Sequence, residues 1–524
     1  MFRRWWTLAL GVLVLALGPI AAGSPAQAQV VDPGDDGPAL TVTDGLTQGQ
    51  IVQDLQDALQ HGHDAFLQEL AFYRSLGLIV FTTPFNEKDG LGDGPFIQGE
   101  GSPLDPGSRP TLQGNGQFLR VNGLDSQSCN ECHNLISHAT RPPHLGIGGV
   151  GGVVTNAIIM PSVIDVADTT DNRVTYVAGH DPDLPLATDG VADFNGRFAN
   201  APFLFGGGGV ELVAKEMTKD LEAILQNLID QQPPGVTVSL DTKGVHFGTA
   251  TKLTDGTIKL DLQGLGLIDL DPVHPLTDAQ QLVVRPFGRK GDHFSMRDFD
   301  IGAMEFHFGM QPVEAFNPAL TPDPDQDGVP NEVTVAEMTV LDLFNVTNPP
   351  PVGASDTDTH GRELFTQVGC ANCHTPSFTT DSPYLTLSYP EIAEDPDAHV
   401  YTSIDLRDFG FAQDPNGPGV LVPLYSDLKR HDMGAGLAED METDRAKVPN
   451  KEFITARLWG ISDTGPYLHD GRATSIYQAI VRHSGEAKYS EVAFGLLSDA
   501  DKVDLINFLK SLHTPPHPNE DITP

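Results

Sequence analysis

All four cysteines of this 524-residue chain lie in two C-x-x-C-H units, CNECH at 129–133 and CANCH at 370–374. In such a unit the two thiols bond covalently to a porphyrin, and the histidine that follows them ligates the iron as its proximal ligand. The sequence therefore predicts two covalently bound haem c groups. The residues that hold the first are Cys129, Cys132 and His133, and those that hold the second are Cys370, Cys373 and His374.

Disulfides and zinc are the two alternatives for paired cysteines. A C-x-x-C disulfide closes a loop so short that it constrains little of the unfolded chain, which makes it a poor structural bridge. Zinc-ribbon pairs lie within about 20 residues of each other, whereas these units begin at residues 129 and 370. Zinc also needs no histidine directly after each pair, so covalent haem accounts for more of the pattern.

The N-terminus has the three parts of a secretory signal peptide. Arg3 and Arg4 precede a short apolar run at 8–20, and AQA at 26–28 is a small-residue cleavage site. We expect residues 1–28 to be removed and the mature chain to lie in the periplasm or to be secreted. No later stretch approaches about 20 apolar residues, so no membrane span is expected after processing. An uncleaved anchor is the alternative.

The chain is strongly acidic, with 71 Asp and Glu against 31 Lys and Arg and a formal net charge of -40. Such a surface repels nucleic acid and anionic membranes, so neither is an expected partner. It would suit a small basic protein that donates electrons. Solubility or a salty habitat explains the same charge equally well.

Length and composition predict two domains, because one hydrophobic core seldom serves so many residues. We place an N-terminal haem domain with insertions at 29–348 and a C-terminal cytochrome c-like haem domain at 352–524, joined by the proline-rich linker that begins at Pro349. Three further elements are predicted in the first of these: a helical pattern at 51–76, a small β-meander at 235–262, and a helix that Thr334 and Glu337 begin as a capping box.

Two amphipathic helices are predicted to flank the second unit. Leu364, Phe365 and Val368 share one helical face just before the cysteines. Near the C-terminus, Ser498 and Asp501 have capping-box spacing, and the apolar residues that follow have helical spacing: Leu505, Phe508, Leu509 and Leu512. A small cytochrome c wraps its cofactor in this way. The predicted fold class is therefore mainly α, with two cytochrome c-like haem domains and a small β-meander insertion.

A candidate calcium loop lies at 323–332. Its first three candidate ligands alternate along the chain: Asp323, Asp325 and Asp327. They precede Gly328, as in the start of a calcium-binding loop, but Thr334 stands where the closing glutamate would be. Asn331 or Glu332 could complete the ligand shell. An acidic surface turn is the alternative.

Several segments resemble the bacterial di-haem cytochrome c peroxidase superfamily, and most closely its di-haem oxidoreductases, a MauG-like branch also labelled peroxidases or thiol oxidoreductases. The segments of the C-terminal half are HDMG at 431–434, LWG at 458–460, LHDGRA at 468–473 and AIVRHSGEA at 479–487. Similar segments begin at Arg197 (RFANAPFLFGGGGVEL) and Arg285 (RPFGRKGDHFSMRDFDIGAM). The resemblance runs from about residue 115 to about residue 515 and is strongest near the C-terminus.

The resemblance implies a periplasmic, mostly helical protein with two cytochrome c-like domains. Members of the superfamily reduce hydrogen peroxide, mature a quinone cofactor as MauG does, or cleave rubber with oxygen. We therefore expect an oxidoreductase that reduces hydrogen peroxide or a related oxidant with electrons from a small donor. An oxygenase or protein-modifying oxidase that uses oxygen is one alternative, and a non-catalytic electron-transfer cytochrome is another.

The resemblance also suggests residue roles. Glu211 is the candidate proton mover, although a glutamate near a helix N-terminus is also favoured by the helix dipole. The first haem is taken as the active one, because most of the extra sequence surrounds it. His138 or His144 could close its iron, or both could be polar surface residues. Trp459 could relay electrons or pack against the second haem.

The second haem is expected to store an electron on a six-coordinate iron. Peroxidases place a methionine ligand where this chain has Lys451. His431 is the leading candidate for the distal ligand in its place, with Met433 and His469 behind it.

Overall fold

The computed structural model describes residues 37–92, 126–133, 155–164, 192–202, 204–266, 280–315, 323, 328–352, 359–439 and 448–522. The predicted signal peptide lies outside these residues, as do His138, His144, Asp325 and Asp327, and what was expected of them stays a prediction. Within the described ranges, no helix combines the length and the apolar character needed to cross a membrane.

The described residues contain ten α-helices. They are α1 Gln48–His61, α2 His63–Thr82, α3 Cys129–Cys132, α4 Gly207–Gln231, α5 Met296–Ala303, α6 Val335–Val346, α7 Thr359–Gln367, α8 Ile476–Ile480, α9 Lys488–Leu496 and α10 Asp499–Lys510. A π-helical turn, Met304–Phe308, continues directly from α5.

The predicted helical stretch at 51–76 is helical but broken. Gly62, with φ of 116°, separates α1 from α2 and turns the chain between them. Helix α2 then packs closely on α6. A Cβ on Gly77 would lie 2.0 Å from the carbonyl oxygen of Val340, so only glycine allows this approach of the two backbones.

Twelve strands form five small antiparallel sheets in the described part of the chain. The strands are β1 Thr155–Ile164, β2 Ala192–Asn200, β3 Thr237–Thr242, β4 Val245–Lys252, β5 Ile258–Leu262, β6 Phe378–Thr379, β7 Tyr384–Ser388, β8 Val400–Asp405, β9 Ala412–Gln413, β10 Val420–Val422, β11 Arg430–Asp432 and β12 Glu452–Ile454. The sheets are β1-β2, β3-β4-β5, β6-β10-β9, β7-β8 and β11-β12.

The β-meander predicted at 235–262 is confirmed as the sheet β3-β4-β5. Thr242 pairs with Val245, which leaves a two-residue turn of Lys243 and Gly244. Both turn residues have positive φ, 47° and 81°, which is the conformation that matches the twist of a tight hairpin. The capping box of Thr334 and Glu337 at the start of α6 is also confirmed.

The prediction of a mainly α fold with two cytochrome c-like domains was wrong. Helix makes up 40% and strand 15% of the structure, the strands lie in several small sheets, and a two-cytochrome architecture is not evident. Strands β6–β12 all fall between residues 378 and 454. Most of them have only two or three residues, too few to show an alternating pattern. Some also pair with strands that are distant in sequence, as where His431 pairs with Phe453.

The hydrophobic core consists of a large and a small cluster. The large cluster joins residues that precede the proline-rich linker, such as Val213 and Leu343, to residues that follow it, such as Leu385 and Ile404. The small cluster contains Leu364, Phe365, Val368, Tyr425, Ile476, Phe494, Leu505, Phe508, Leu509 and Leu512. Residues 36–524 form one compact unit, and the domain boundary at the linker stays a prediction.

Candidate functional site

Both helices predicted around the second C-x-x-C-H unit are present. Helix α7 ends before Gly369, whose φ of 86° turns the chain into the 3₁₀ turn Cys370–Asn372. The ring of Phe365 lies 5.5 Å from that of Phe508 on α10. Ser498 caps α10 by accepting a hydrogen bond from the backbone N–H of Asp501 at 3.2 Å. The aromatic and aliphatic side chains of the small cluster thus pack against the second unit at Cys370.

The His374 imidazole is fixed by a backbone carbonyl. Its Nδ1 lies 3.0 Å from the carbonyl oxygen of Tyr425, and since a carbonyl can only accept, Nδ1 carries the proton. Burial, with a further contribution from His483, lowers the pKa of His374 to about 4. The ring is therefore neutral with a lone pair on Nε2, which is the form that ligates a metal.

His483 faces His374. The two ring centres are 6.5 Å apart and the ring planes are inclined at 57°. Nδ1 of His483 lies 2.8 Å from the carbonyl oxygen of Ala479, and burial lowers the pKa of this imidazole too. The segment AIVRHSGEA carries part of the family resemblance, and no role was predicted for its histidine. A histidine inside that segment was the signal that could have found it.

His431, the leading candidate for the distal ligand, has carboxylates at both nitrogens. Nε2 lies 2.8 Å from Asp427 Oδ2, and Nδ1 lies 2.8 Å from Glu486 Oε2. Although burial alone would lower it, the hydrogen bonds and charges of Asp427 and Cys373 raise the pKa of His431 to about 11. With a carboxylate at each nitrogen, the ring has neither nitrogen free for iron in this geometry. A ligand role for His431 stays a prediction, and this arrangement does not present the ring for it.

The zinc alternative has some support at the second unit, where three possible metal ligands lie close together: Cys373, Asp427 and His431. Their ligand atoms lie within 4.8 Å of one another, a set that could hold a metal ion while Cys373 is a thiol. Covalent attachment of haem would consume that thiol, so the two uses of Cys373 exclude each other. None of the four cysteines forms a disulfide.

The other two candidates for the distal ligand have different surroundings. The His469 ring stacks on Phe453 with ring centres 4.3 Å apart, and its Nε2 lies 3.7 Å from Asp470. The backbone N–H of Met433 donates to the carbonyl of Lys451 at 2.8 Å, and its carbonyl accepts from Ser484. Their ligand roles stay predictions.

The first C-x-x-C-H unit forms the short helix α3. Glu131 holds the chain before it, accepting from the backbone N–H of Gln127 at 2.9 Å and from the hydroxyl of Ser126 at 2.8 Å. Burial, followed by the nearby His307, lowers the pKa of His133 to about 4. The Pro202 carbonyl partly offsets this shift. Among the residues that the structure describes, Nδ1 of His133 has no hydrogen-bond partner of normal geometry.

A group of buried charges lies beside the first unit, and we call it the buried charge network. Its members are Glu211 and Lys215 on α4, Arg297 and Asp300 on α5, and Asp342 on α6. Asp300 is close enough to Cys129 to add, after burial, to the raised pKa of that thiol. Residues this far apart in sequence carry no motif, and apart from Glu211 the sequence analysis missed them.

Glu211, the predicted proton mover, joins α4 to α5. It is 1% exposed. One carboxylate oxygen forms an ion pair with Lys215 at 2.6 Å, and the other accepts from the backbone N–H of Met296 at 2.8 Å. Both oxygens have partners here, and the catalytic role of Glu211 stays a prediction.

Two aspartates of the network favour their protonated forms. Burial raises the pKa of Asp300 to about 8, although both its oxygens accept from the Asn345 amide at 2.9 Å. Burial and the charge of Glu211 raise the pKa of Asp342 well above its usual range. The network can therefore hold protons at neutral pH.

Trp459 and the candidate calcium loop complete the set of predicted residues. Trp459 is 1% exposed, and its indole fills the space where a Cβ on Gly206 would lie 2.5 Å from Cη2, so it serves at least as packing. In the calcium loop, Asp323 accepts from the backbone N–H of Gly328 at 3.2 Å, and Glu332 accepts from that of Gln311 at 2.7 Å. With Asp325 and Asp327 outside the described residues, calcium stays a prediction.

The imidazoles of the two units suit a cofactor that needs neutral nitrogen ligands. Burial lowers the pKa of three histidines at the two units, although each side chain keeps some accessible surface. They are His133, His374 and His483. Together with cysteine pairs directly before two of these histidines, the donor set fits covalently attached haem.

Comparison with known proteins links the C-terminal part of the chain to one family. Residues 419–512 match the family described as "Di-haem oxidoreductase, putative peroxidase". This segment includes His431, His469 and His483 but neither C-x-x-C-H unit. No curated protein matches the chain.

A solved structure, "Kuenenia stuttgartiensis Hydrazine Synthase Pressurized with 20 bar Xenon", is similar at 15% identity over 58% of this chain and 87% of that chain, with a TM-score of 0.23. At this TM-score the likeness says nothing about the fold or activity of this chain.

Proposed function

We propose that this chain is an exported, periplasmic or secreted, di-haem c oxidoreductase that reduces hydrogen peroxide or a related oxidant with electrons from a small donor protein. The observation that carries the proposal is the pair of C-x-x-C-H units, in each of which burial lowers the pKa of the histidine and keeps its imidazole neutral. The family match over residues 419–512 supports the same chemistry.

The attachment residues have distinct tasks. When bound, haem supplies an iron that changes oxidation state. Cys129 and Cys132 would hold one group with His133 on its iron, and Cys370 and Cys373 would hold the other with His374 on its iron. The carbonyl of Tyr425 orients His374 by fixing its proton on Nδ1.

Reduction of one peroxide to two water molecules consumes two electrons and two protons, so a proton source near the reacting oxygen is required. A group whose pKa lies near the working pH transfers protons best. Asp300, with a pKa of about 8, is protonated at neutral pH and lies beside the first unit. We assign proton delivery to the buried charge network, with Asp300 as its reservoir and Glu211 as the candidate mover.

The experiment that tests the function uses full-length exported protein with both haems reduced, one electron on each, mixed with hydrogen peroxide in a stopped-flow spectrometer. We expect rapid oxidation with two electrons consumed per peroxide. Haem content, from the pyridine haemochrome and the mass of proteolytic peptides, is measured on the same sample. A protein that carries two haems but does not react with peroxide would contradict the peroxidase assignment.

Paired variants provide the controls. The double variants Cys129→Ser/Cys132→Ser and Cys370→Ser/Cys373→Ser should each lose one haem. Only the protein with both haems should consume two electrons per peroxide in one fast phase. If both single-haem proteins reacted as fast as the parent, the two-centre mechanism would be wrong.

A non-catalytic electron carrier is the second candidate, because His307 lies near enough to His133 to lower its pKa and could close the first iron. Such a carrier would show two low-spin haems in every oxidation state. A high-spin signal from one haem in the half-reduced protein would favour the enzyme.

A further inference from the structure

We propose that His483 is the distal ligand of the second haem, so that His374 and His483 bind opposite faces of one iron. The proposal rests on the haem attachment of the proposed function and adds a ligand that no comparison assigns.

The spacing of the two rings matches this arrangement. A metal–nitrogen bond to histidine is about 2 Å long, and the ring centre lies roughly 1 Å beyond the nitrogen, so two imidazoles across one iron have centres about 6 Å apart. The observed separation is 6.5 Å. Hydrogen-bonded or stacked rings would not need a gap of this size.

The orientation of the rings agrees with the spacing. Each imidazole places Nδ1 against a backbone carbonyl, at 3.0 Å for His374 and 2.8 Å for His483. Metal-binding histidines usually have such an outer partner, which fixes the proton on one nitrogen and leaves the other for the metal. Both rings therefore present Nε2 as the nitrogen with a lone pair.

The position of His483 is set by the segment that follows it. Ser484 donates to the carbonyl of Met433, and Glu486 accepts from the backbone N–H of Asp432 at 3.0 Å. A Cβ on Gly485 would lie 2.0 Å from the carbonyl oxygen of Asp432, so the two backbones approach closely. We call this contact of 431–434 with 484–486 the ligand clamp.

The ligand clamp gives His431 a different task. With Asp427 on one nitrogen and Glu486 on the other, His431 links the clamp to the chain beside the second unit. It is a positioning residue for His483.

The experiment compares ligand-sensitive spectra of the full-length two-haem protein and its variants. The near-infrared magnetic circular dichroism of ferric low-spin haem distinguishes a histidine pair from histidine with methionine. We expect the histidine-pair band for the second haem of the parent protein. His483→Gly should turn that haem high-spin with haem content unchanged, and added imidazole should restore the low-spin signal.

His483→Met should keep the second haem low-spin and raise its reduction potential, because methionine ligation favours the reduced iron. His469→Gln tests the competing candidate for the same ligand position. Its near-infrared spectrum should equal that of the parent, and loss of the histidine-pair band in this variant would overturn the assignment. A histidine–methionine band for the second haem of the parent would overturn the assignment. So would an unchanged spectrum in His483→Gly.

Haem content separates the two proposals. Protein without covalent haem would remove the premise of both. Protein with two haems and the predicted spectra that fails to react with peroxide would leave His483 as ligand and remove only the peroxidase activity. If His483→Gly does not mature, the spectrum of the parent and the potential of His483→Met decide the question.

Discussion

The two C-x-x-C-H units share a five-residue pattern but differ in what surrounds them. The second lies on aromatic and aliphatic side chains, and its histidine faces another histidine across 6.5 Å. The first lies beside the buried charge network, where Asp300 has a pKa of about 8. Aromatic surroundings suit an iron that only exchanges electrons, whereas groups that hold protons suit an iron that reacts with an oxidant. The surroundings, more than the motif, support the two different roles proposed above.

The largest expected effect comes from breaking the charge network beside the first unit. Arg297 is 1% exposed and forms an ion pair with Glu314 at 2.6 Å. Arg297→Met should lower the free energy of unfolding by about 3–5 kcal/mol, because a buried carboxylate loses its partner. Denaturant unfolding measures the change.

The matched control is Lys219→Met, which removes a pair with Asp397 whose two side chains are about half exposed. This variant should lower the free energy of unfolding by less than about 1 kcal/mol. Equal losses in the two variants would show that the network is not important for stability.

The protonation of Asp300 can be tested by the pH dependence of stability. Its folded-state pKa of about 8 is above the ordinary value of 3.8, so between these values the folded state binds more protons than the unfolded state. The contribution of Asp300 to the free energy of unfolding is fully present below about pH 4 and is lost as the pH rises towards 8. The free energy of unfolding falls by at most about 1.4 kcal/mol per pH unit in this range.

Asp300→Asn removes this titration, so its unfolding free energy should fall less steeply than that of the parent between pH 5 and pH 8. Thermal unfolding at several pH values measures the slopes. Glu391, whose pKa burial raises to about 7, gives the same downward slope in both proteins. Parallel curves for the two proteins would show that Asp300 is not a proton reservoir.

A smaller effect is expected on the aromatic side of the comparison. Phe508 is fully buried and contacts the rings of Phe365 and Tyr425. Phe508→Leu should lower the free energy of unfolding by about 1–2 kcal/mol through loss of packing. The pH dependence of stability should keep the slope of the parent between pH 5 and pH 8, because burial raises the pKa of its neighbour Tyr425 above the ordinary value of 10.0 and that hydroxyl stays neutral throughout the range. A changed slope would mean that the two sites are coupled.

The smallest effect concerns the cap of the helix beneath the second unit. Ser498→Ala should lower the free energy of unfolding by about 1 kcal/mol, because the backbone N–H of Asp501 loses its acceptor. Ser498→Asp keeps an acceptor at the cap and should restore most of the loss. Thermal unfolding of the three proteins distinguishes a cap from a residue without effect.

Features set by neighbouring residues could be predicted from the sequence. The cap of α6 at Thr334, the turn at Lys243 and the helices around Cys370 all depend on residues within a few positions of one another. Their amino-acid preferences are local, so the pattern is visible without the fold.

Features set by distant residues could not be predicted in this way. Asp300 and Asp342 come together only because α5 packs on α6, and the strand of His431 exists only beside that of Phe453. His483 was within a segment already quoted, but its relation to His374 is a distance, and spacing in sequence does not report distance across a fold. These long-range contacts also explain the wrong fold class.

The large core that continues across the proline-rich linker has a practical consequence for dissecting the protein. A fragment cut at Pro349 would expose part of Leu385, Ile404 and Leu406 to water, since these residues belong to a core cluster that they share with residues upstream of the linker. Contiguous apolar surface of this kind promotes aggregation. The halves should therefore be insoluble when made separately and recover only when produced together, so a truncated fragment is a poor substitute for the whole chain.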